Sequence, residues 1–497
     1  MEFFRNMPFF CIILSMVSAV IISIMSDKVA RIFSLTVIGL VAVMSVMAFG
    51  YVTNLGESYT YYMGHFPAPW GNEIRVGILE TMTAIIFSVV MFASVLGGSK
   101  RVWFDVAPKK RNLYYIMVNL LLAALLAMIY TNDLFTGYVF IEIMTISACA
   151  LIMIKDNGHC LVAATKYMIM SLIGSGLILL GLSMLYDLTG HLLMSNIKET
   201  ILLNVEVGAY ELPLIMTIGL ICVGLAIKSA LFPFHSWLPE AYGYSTATSS
   251  ALLSSLISKG YIFLLIKIVY RVIDINVVMS TGIGNIFFVF GVAGMIIGSV
   301  RAIAQTDVRK MIAYSSVAQI GYVYMGIGLG TNLGIIAAIF HIFAHSSAKS
   351  MMFIAADGLS AVSGDSKEFH DLYGSAMKNK IAGITFSVGA CSMIGIPILA
   401  GFISKVCFAN AAINASTIKL VIVMLALAFS TLLNAIYFMR AIITIYRPIK
   451  KEDEAKIYPK DIWFITACII FIILNVYLGT HAQPIINFIF KGIEMFA

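Results

Sequence analysis

The sequence predicts an all-α, polytopic membrane protein, and three observations carry that reading. Of 497 residues, 60% are hydrophobic and only 11% charged, against about 25% charged in an average soluble domain. The apolar residues gather in runs of the ~20 residues that a helix needs to cross a bilayer. Roughly fourteen such runs stand out. The short alternating strands of a membrane barrel are absent from the sequence. The runs are therefore helical, because lipid offers an open backbone no hydrogen-bond partner.

In order, the runs cover 7–25, 31–52, 74–97, 112–131, 134–154, 160–186, 211–231, 245–270, 283–304, 311–329, 334–356, 381–405, 417–446 and 462–480. The first reads as a span rather than a removable leader: Asp27, Lys28 and Arg31 follow it, then a second long apolar run, with no small-residue cleavage site. Stretches 51–73 and 187–210 are polar loops on one side. Stretch 447–461, charged and holding Pro448 and Pro459, is a loop on the other.

Loop charge sets the expected orientation. Alternate loops hold Lys28 and Arg31; Lys100, Arg101, Lys109, Lys110 and Arg111; Lys155; Arg301, Arg309 and Lys310; Lys367, Lys378 and Lys380; and Arg447, Lys450, Lys451, Lys456 and Lys460. The opposite loops hold little beyond Arg75, Lys198, Arg271 and Lys419. The basic set is expected on the cytoplasmic side of the cell membrane, with both termini outside. The net charge of +7 is thus a topology signal and not a nucleic-acid-binding face. Cys11, Cys149, Cys160, Cys222, Cys391, Cys407 and Cys468 form no C-x-x-C pair and no Cys/His cluster. They read as small buried hydrophobes, so no metal, iron–sulfur centre or other cofactor is expected in this chain.

An ionisable side chain inside a span costs about 2.5–3.5 kcal/mol on insertion scales, so each one needs a reason. Glu142 stands about two turns into its run, the only charge there. It reads as a charge that modulates a nearby lysine, against the alternative of a packing anchor. Lys228 is followed closely by Pro233 and Pro239. Proline breaks a helix, and a break at membrane depth is tolerated only where protein or water covers it. A lysine beside a break therefore marks a hydrated path, with snorkelling to the interface as the alternative. Lys405 repeats the pattern, with Pro397 between Gly395 and Gly401. Two interrupted helices at matching places predict transporter-type internal repeats: 112–271 (spans four to eight) and 281–446 (spans nine to thirteen). Residues 1–111 precede them and 447–497 follow.

Lys259 lies among Ser254, Ser255 and Ser258, a neighbourhood that hydrates easily and suits a proton relay. Lys267, nearer the end of the same run, reads as a snorkelling lysine. His341, His345 and Lys349 fall at i, i+4 and i+8 on one helix face, and His titrates closest to neutral pH. A zinc reading of the pair lacks an acidic third ligand and faces the charge of Lys349. The expected proton path thus comprises Glu142, Lys228, Lys259, His341, His345, Lys349 and Lys405, with helix breaks at Pro233, Pro239 and Pro397. A sodium path would need several oxygen ligands. Ser245, Thr246, Thr248, Ser249 and Ser250 offer some, though such residues also hydrate a path or pack helices. Protons are favoured because Lys and His carry them and do not bind sodium.

These residues also carry a family resemblance. The stretch 302–322, with Asp307, Arg309, Lys310, Tyr314, Gln319, Gly321 and Tyr322, resembles the signature of antiporter-like proton-translocating subunits. These occur in respiratory complex I, membrane-bound hydrogenases and Mrp-type cation/proton antiporters. The segments around Glu142, Lys228, His341 to Lys349 and Lys405 are similar to that family as well. The resemblance runs from about span three to span thirteen. It implies fourteen transmembrane helices with two inverted five-helix repeats, each with one broken helix. It further implies that Glu142 and Lys228 form the charged pair of one half-channel, linked through Lys259 or the histidines to Lys405 as exit residue. The chain is most similar to the shorter, lysine-ending subunits of that family. It departs from the pattern before Lys259, where Ser and Thr stand at places that relatives often fill with proline.

The implied partners are other membrane subunits, including related antiporter-like ones, the lipid bilayer and a peripheral redox arm. Two functions follow. One is a proton-translocating subunit of a redox-driven pump, with no catalytic redox site of its own; the other is a subunit of an Mrp-type sodium/proton antiporter without redox activity. A membrane scaffold is the third class, and it alone would tolerate Met in place of the buried lysines, since an unneeded buried charge only costs energy.

Overall fold

The computed structural model describes residues 2–66, 71–448 and 461–496. Lys450, Lys451, Lys456, Lys460 and Pro459 of the basic loop lie outside the described residues. Among the described residues, eleven helices are long and apolar enough to cross a membrane, and Met7–Ile22, Lys380–Ile394 and Ala400–Ile413 are shorter apolar helices. Many begin on a capping side chain. Asp133 accepts from the Thr136 amide at 2.6 Å, and Asp307 from those of Arg309 and Lys310 at 2.7 and 3.0 Å. Such caps satisfy amides that the first helical turn leaves free.

The helices are layered around two members. Ala247–Ile273 and Asn332–Ser360 are buried along their entire apolar windows, whereas Asp27–Leu55, Gly158–Thr189, Thr417–Tyr446 and Ile462–Thr480 bury only 39% of theirs. The outer helices thus turn apolar side chains to lipid, and the inner two carry polar groups that lipid would not tolerate. Ile283–Ile303 and Val308–Gly328 pack very closely. A Cβ on Gly291 would lie 2.5 Å from the Met325 amide nitrogen, and one on Gly321 2.5 Å from the Gly291 carbonyl. Only glycine admits that approach, as in membrane helix pairs generally.

The two polar loops contain structure that hydropathy did not reveal. Tyr59–Tyr62 pairs antiparallel with Glu73–Val76, Tyr59 opposite Val76, and Met194–Glu206 is a short helix. Both ends of the chain meet this hairpin: Arg5 donates to the Thr60 carbonyl at 3.3 Å, and Arg75 donates to the carbonyl of Met495. The hairpin and both described termini therefore share one face, called the hairpin face below. The loops at the opposite ends of the spans form the basic face.

Two helices are interrupted. Glu211–Ser229 ends at Ala230, whose φ is 62°. The chain then passes Pro233 into a short 3-10 turn, Phe234–Trp237, and the helix Leu238–Tyr244. Pro239, expected as a second break, instead sits in the first turn of that resumed helix. Proline is tolerated there because its missing amide would have no partner anyway. The predicted span 381–405 is two helices, Lys380–Ile394 and Ala400–Ile413. Pro397 lies in the interruption between Gly395 (φ 93°) and Ile398 (φ 80°), and the second piece runs eight residues beyond the expected limit. The eighth span also departs from regular helix, widening into π-helical turns at Leu253–Ile257 and Ile268–Ile273.

Candidate functional site

Glu142 and Lys228 meet across two helices. The Lys228 ammonium lies 3.5 Å from Glu142 Oε1 and donates to Thr145 Oγ1 at 2.8 Å. Thr145 is three residues after Glu142, on the same helix face, and its hydroxyl also meets the Tyr261 phenol at 3.1 Å. Ser175 donates to the same Glu142 oxygen. Lys228 is fully buried, while 27% of the Glu142 side chain is exposed. Lys228 is the last residue but one of Glu211–Ser229, so its cation sits by the partial negative charge of a helix C-terminus as well as by a carboxylate.

Among the described residues, the lysines and histidines of the centre have no carboxylate in contact. Lys259 donates to the Ser254 carbonyl at 2.5 Å, within the π-helical stretch. Lys349 donates to the Ile312 carbonyl at 3.0 Å and to Ser315 Oγ. His341 and His345 lie with ring centroids 5.9 Å apart, both buried. His341 Nδ1 meets Ser404 Oγ at 3.0 Å, and the ring stacks on Tyr322 at 5.4 Å. Neither ring nitrogen of His345 has a hydrogen-bond partner among the described residues, nor do His341 Nε2, the Tyr322 hydroxyl or Ser347 Oγ. Lys405, next to Ser404, donates to the Ile394 carbonyl at 2.6 Å and to Thr431 Oγ1 at 2.8 Å, and its ammonium lies 6.0 Å from the Tyr322 ring centre.

Residues 131–431 match the family described as NADH:quinone oxidoreductase/Mrp antiporter, transmembrane. The chain belongs to this family. Within it, the chain is 33% identical to an NADH-quinone oxidoreductase subunit of the N type from Desulforudis audaxviator, over 82% of this chain and 80% of that one. It is 26% identical to a Na(+)/H(+) antiporter subunit from Alkalihalophilus pseudofirmus, over 86% of this chain and 84% of the relative. Among solved structures, a chain of the membrane-bound sulfane sulfur reductase, an archaeal respiratory membrane complex, superposes with a TM-score of 0.88 at 24% identity, covering 100% of this chain and 98% of that one. A chain of the Mrp complex of a Dietzia species gives 0.87 at 19% identity, covering 99% and 97%. This NADH:quinone oxidoreductase/Mrp family member thus shares its fold with subunits of both a respiratory complex and an antiporter.

The sequence-predicted residues are distributed unevenly in space. Glu142 joins Lys228, and His341 joins His345 and, through Ser404, the neighbourhood of Lys405. Lys259 bonds to backbone one turn back in its own span, whereas Lys349 bonds across to Ile312 and Ser315 of Val308–Gly328. Lys267 overturns its expected snorkelling: it is fully buried and donates to the carbonyls of Ile129 and Thr131, both at 2.7 Å. Those carbonyls end the helix Arg111–Tyr130, so Lys267 caps a helix C-terminus from another span. The contributions of Thr145, Ser175, Ser404, Thr431, Tyr261 and Tyr322 were not foreseen. Proximity to Glu142 and to Lys405 made Thr145 and Ser404 candidates without marking them as ligands, and Tyr322 stood in the signature stretch; Ser175, Thr431 and Tyr261 had no sequence signal.

Proposed function

We propose that this chain is a proton-translocating membrane subunit of a multi-subunit, redox-driven pump, and that Glu142, Lys228, Lys259, His341, His345, Lys349 and Lys405 carry the protons. The observation that carries this reading is the Glu142–Lys228 pair. A buried ammonium that shares a carboxylate, beside a helix interruption, binds or releases its proton as that carboxylate is moved or neutralised. From there the path continues through Lys259 and the histidines to Lys405. The unpartnered nitrogens of His345 and His341 are the places where water would complete it, since buried polar groups are normally hydrogen-bonded.

In this reading the chain crosses the membrane fourteen times. The eleven long apolar helices are joined by Met7–Ile22, by Val308–Gly328 and by the interrupted pair Lys380–Ile394 and Ala400–Ile413. Spans four to eight and nine to thirteen, residues 112–271 and 281–446, are two inverted repeats with one broken helix each. The basic face is cytoplasmic and the hairpin face outside. The chain holds no cofactor of its own; related membrane subunits flank it in lipid, and a peripheral redox arm supplies the energy. Support for a redox host comes from the oxidoreductase relative, and support for the second reading, an Mrp-type antiporter subunit without redox activity, from the antiporter relative.

The test of translocation is Lys228→Ala in membrane vesicles carrying the whole complex. The expected result is an assembled complex that no longer acidifies the vesicles; normal pumping would overturn the reading. The host is decided by purifying the native assembly. Flavin or iron–sulfur absorbance with copurifying soluble subunits identifies the redox pump, and a colourless assembly of membrane subunits alone identifies the antiporter.

A further inference from the structure

The signature stretch 302–322 contains an arginine that the proton path above does not use. Arg309 lies at the basic-face end of Val308–Gly328 and is only 2% exposed. Its Nη2 donates to the Ser245 carbonyl at 2.6 Å and to Ser250 Oγ at 2.6 Å, and lies 3.5 Å from the Tyr242 carbonyl. Ser250 Oγ also meets Ser245 Oγ at 2.9 Å. Arg309 thus engages Ser245 and Ser250, two of the five residues that the sequence offered as a partial sodium site.

The cluster lies at the basic-face end of a line of buried polar groups, a seam whose outer end is here called its mouth. On the basic-face side, Asp357, Asp307 and Asp105 lie near enough to offset the charge of Arg309, and Arg101 adds a like charge. Arg101 joins Asp357 at 3.4 Å to Asp105 at 3.5 Å, and Lys155 reaches Asp105 at 3.1 Å. On the inner side the seam continues toward Lys259. Ser254 Oγ meets Ser316 Oγ at 3.0 Å, and Ser346 donates to the Ser255 carbonyl at 2.7 Å. Tyr242 links the two ends: its carbonyl faces Arg309, while its phenol meets Ser258 Oγ, beside Lys259, at 3.0 Å. These serines are fully buried. Arg309 Nε and Ser347 Oγ have no hydrogen-bond partner among the described residues, so the seam has polar capacity to spare.

Resting on the translocation reading, we propose that Arg309 is a specificity-determining residue: its guanidinium fills the oxygen cluster at the mouth of this seam and so excludes sodium from the route to Lys259. Sodium is a hard cation that must exchange its water for several oxygens, and here Arg309 Nη2 already engages the Ser245 carbonyl and Ser250 Oγ. The guanidinium also adds a fixed positive charge to this line of polar groups, and a fixed cation on an ion route opposes other cations, a device known from channels. A proton is spared the first requirement, because it travels as a rearrangement of hydrogen bonds and never needs an oxygen cage.

The test uses vesicles carrying the whole complex and radioactive sodium. Arg309→Met frees the oxygens and removes the charge. The expected result is passive sodium uptake several-fold above wild type per assembled complex. Ser250→Ala added to Arg309→Met removes one freed oxygen and should return uptake toward the wild-type level, whereas Arg309→Lys should stay tight. Assembled Arg309→Met complex with wild-type sodium uptake overturns the proposal. If Arg309→Met prevents assembly, Arg309→Gln, which also removes the charge, is read in the same way, and Ser250→Ala alone should leave sodium uptake low. Lys228→Ala, measured alongside, separates the two ideas. Pumping that survives Lys228→Ala refutes translocation through Lys228, while sodium tightness in Arg309→Met refutes the filter.

Discussion

The two interrupted helices place a lysine beside a break by different means. In the first, Lys228 precedes the break and shares a carboxylate, Glu142, at 3.5 Å. In the second, Lys405 follows the break and reaches back across it to the carbonyl of Ile394, the last residue of the first piece, with Thr431 as its other partner. No carboxylate contacts Lys405 among the described residues. A helix C-terminus carries about half a negative charge, and here it takes the place of the acid. The comparison teaches that one motif supports two kinds of counter-charge. A carboxylate can itself gain a proton or be drawn away by a neighbour; a helix end is fixed. Under the proposed translocation, the first site would be switched by its carboxylate, and the second would hold and release a proton against a fixed counter-charge.

The largest effect that sharpens this contrast is expected from Lys405→Arg. A guanidinium can donate to both the Ile394 carbonyl and Thr431, so the complex should assemble, but it does not release its proton in proteins. Translocation should fall at least about tenfold, the change that a single unit of proton affinity already brings. Vesicle acidification measures it. Retained transport would mean that Lys405 is a structural cap like Lys267 and that the second break does not carry protons.

Glu142→Gln comes next. It keeps the volume and removes the switchable charge, leaving Lys228 with Thr145 and its helix end, which is the arrangement of Lys405. Removing one partner of a buried pair costs about 3–5 kcal/mol; the cost here is expected below that range because 27% of the Glu142 side chain is exposed. Translocation should drop several-fold while the complex still assembles. Wild-type rates would erase the distinction between the two breaks.

Much of this was legible in the sequence for one physical reason: a charge in an apolar run is expensive, so Glu142, Lys228, Lys259 and Lys405 stood out without any geometry. The helix breaks were legible where proline or glycine forced them, at Pro233 and around Pro397. Pro239 misled because proline is harmless in a first turn. The partners were not legible. Thr145 and Ser404 bond back to carbonyls in their own helices, at Ile141 and Gly401, as hydroxyls in packed helices commonly do, and nothing in their spacing distinguishes a ligand from a packing residue. Lys267 was misread because hydropathy places a residue along a helix but does not say which carbonyls it faces. The hairpin was not legible either: Tyr59–Tyr62 lay in the stretch read as a polar loop, and Ile74 to Val76 of its second strand lay in the run read as the start of the third span, whose helix begins only at Ile78.

The smallest expected effect tests the comparison most directly, through the same substitution at both breaks. Thr145→Val and Thr431→Val each remove one hydroxyl that accepts from a buried ammonium, and a hydrogen bond to a charged group contributes about 1.5–3 kcal/mol. At the first break Lys228 still has Glu142 at 3.5 Å, so the carboxylate compensates for part of the loss. At the second, Lys405 keeps only the Ile394 carbonyl. Thr431→Val should therefore slow vesicle acidification more than Thr145→Val does, even though Thr145 also loses its contact with Tyr261. Equal slowing would show that Lys405 gains a counter-charge from outside this chain. Because Glu142 is itself partly exposed, a carboxylate of a neighbouring subunit would be the first group to examine, and the two breaks would then differ in where their acid comes from rather than in whether they have one.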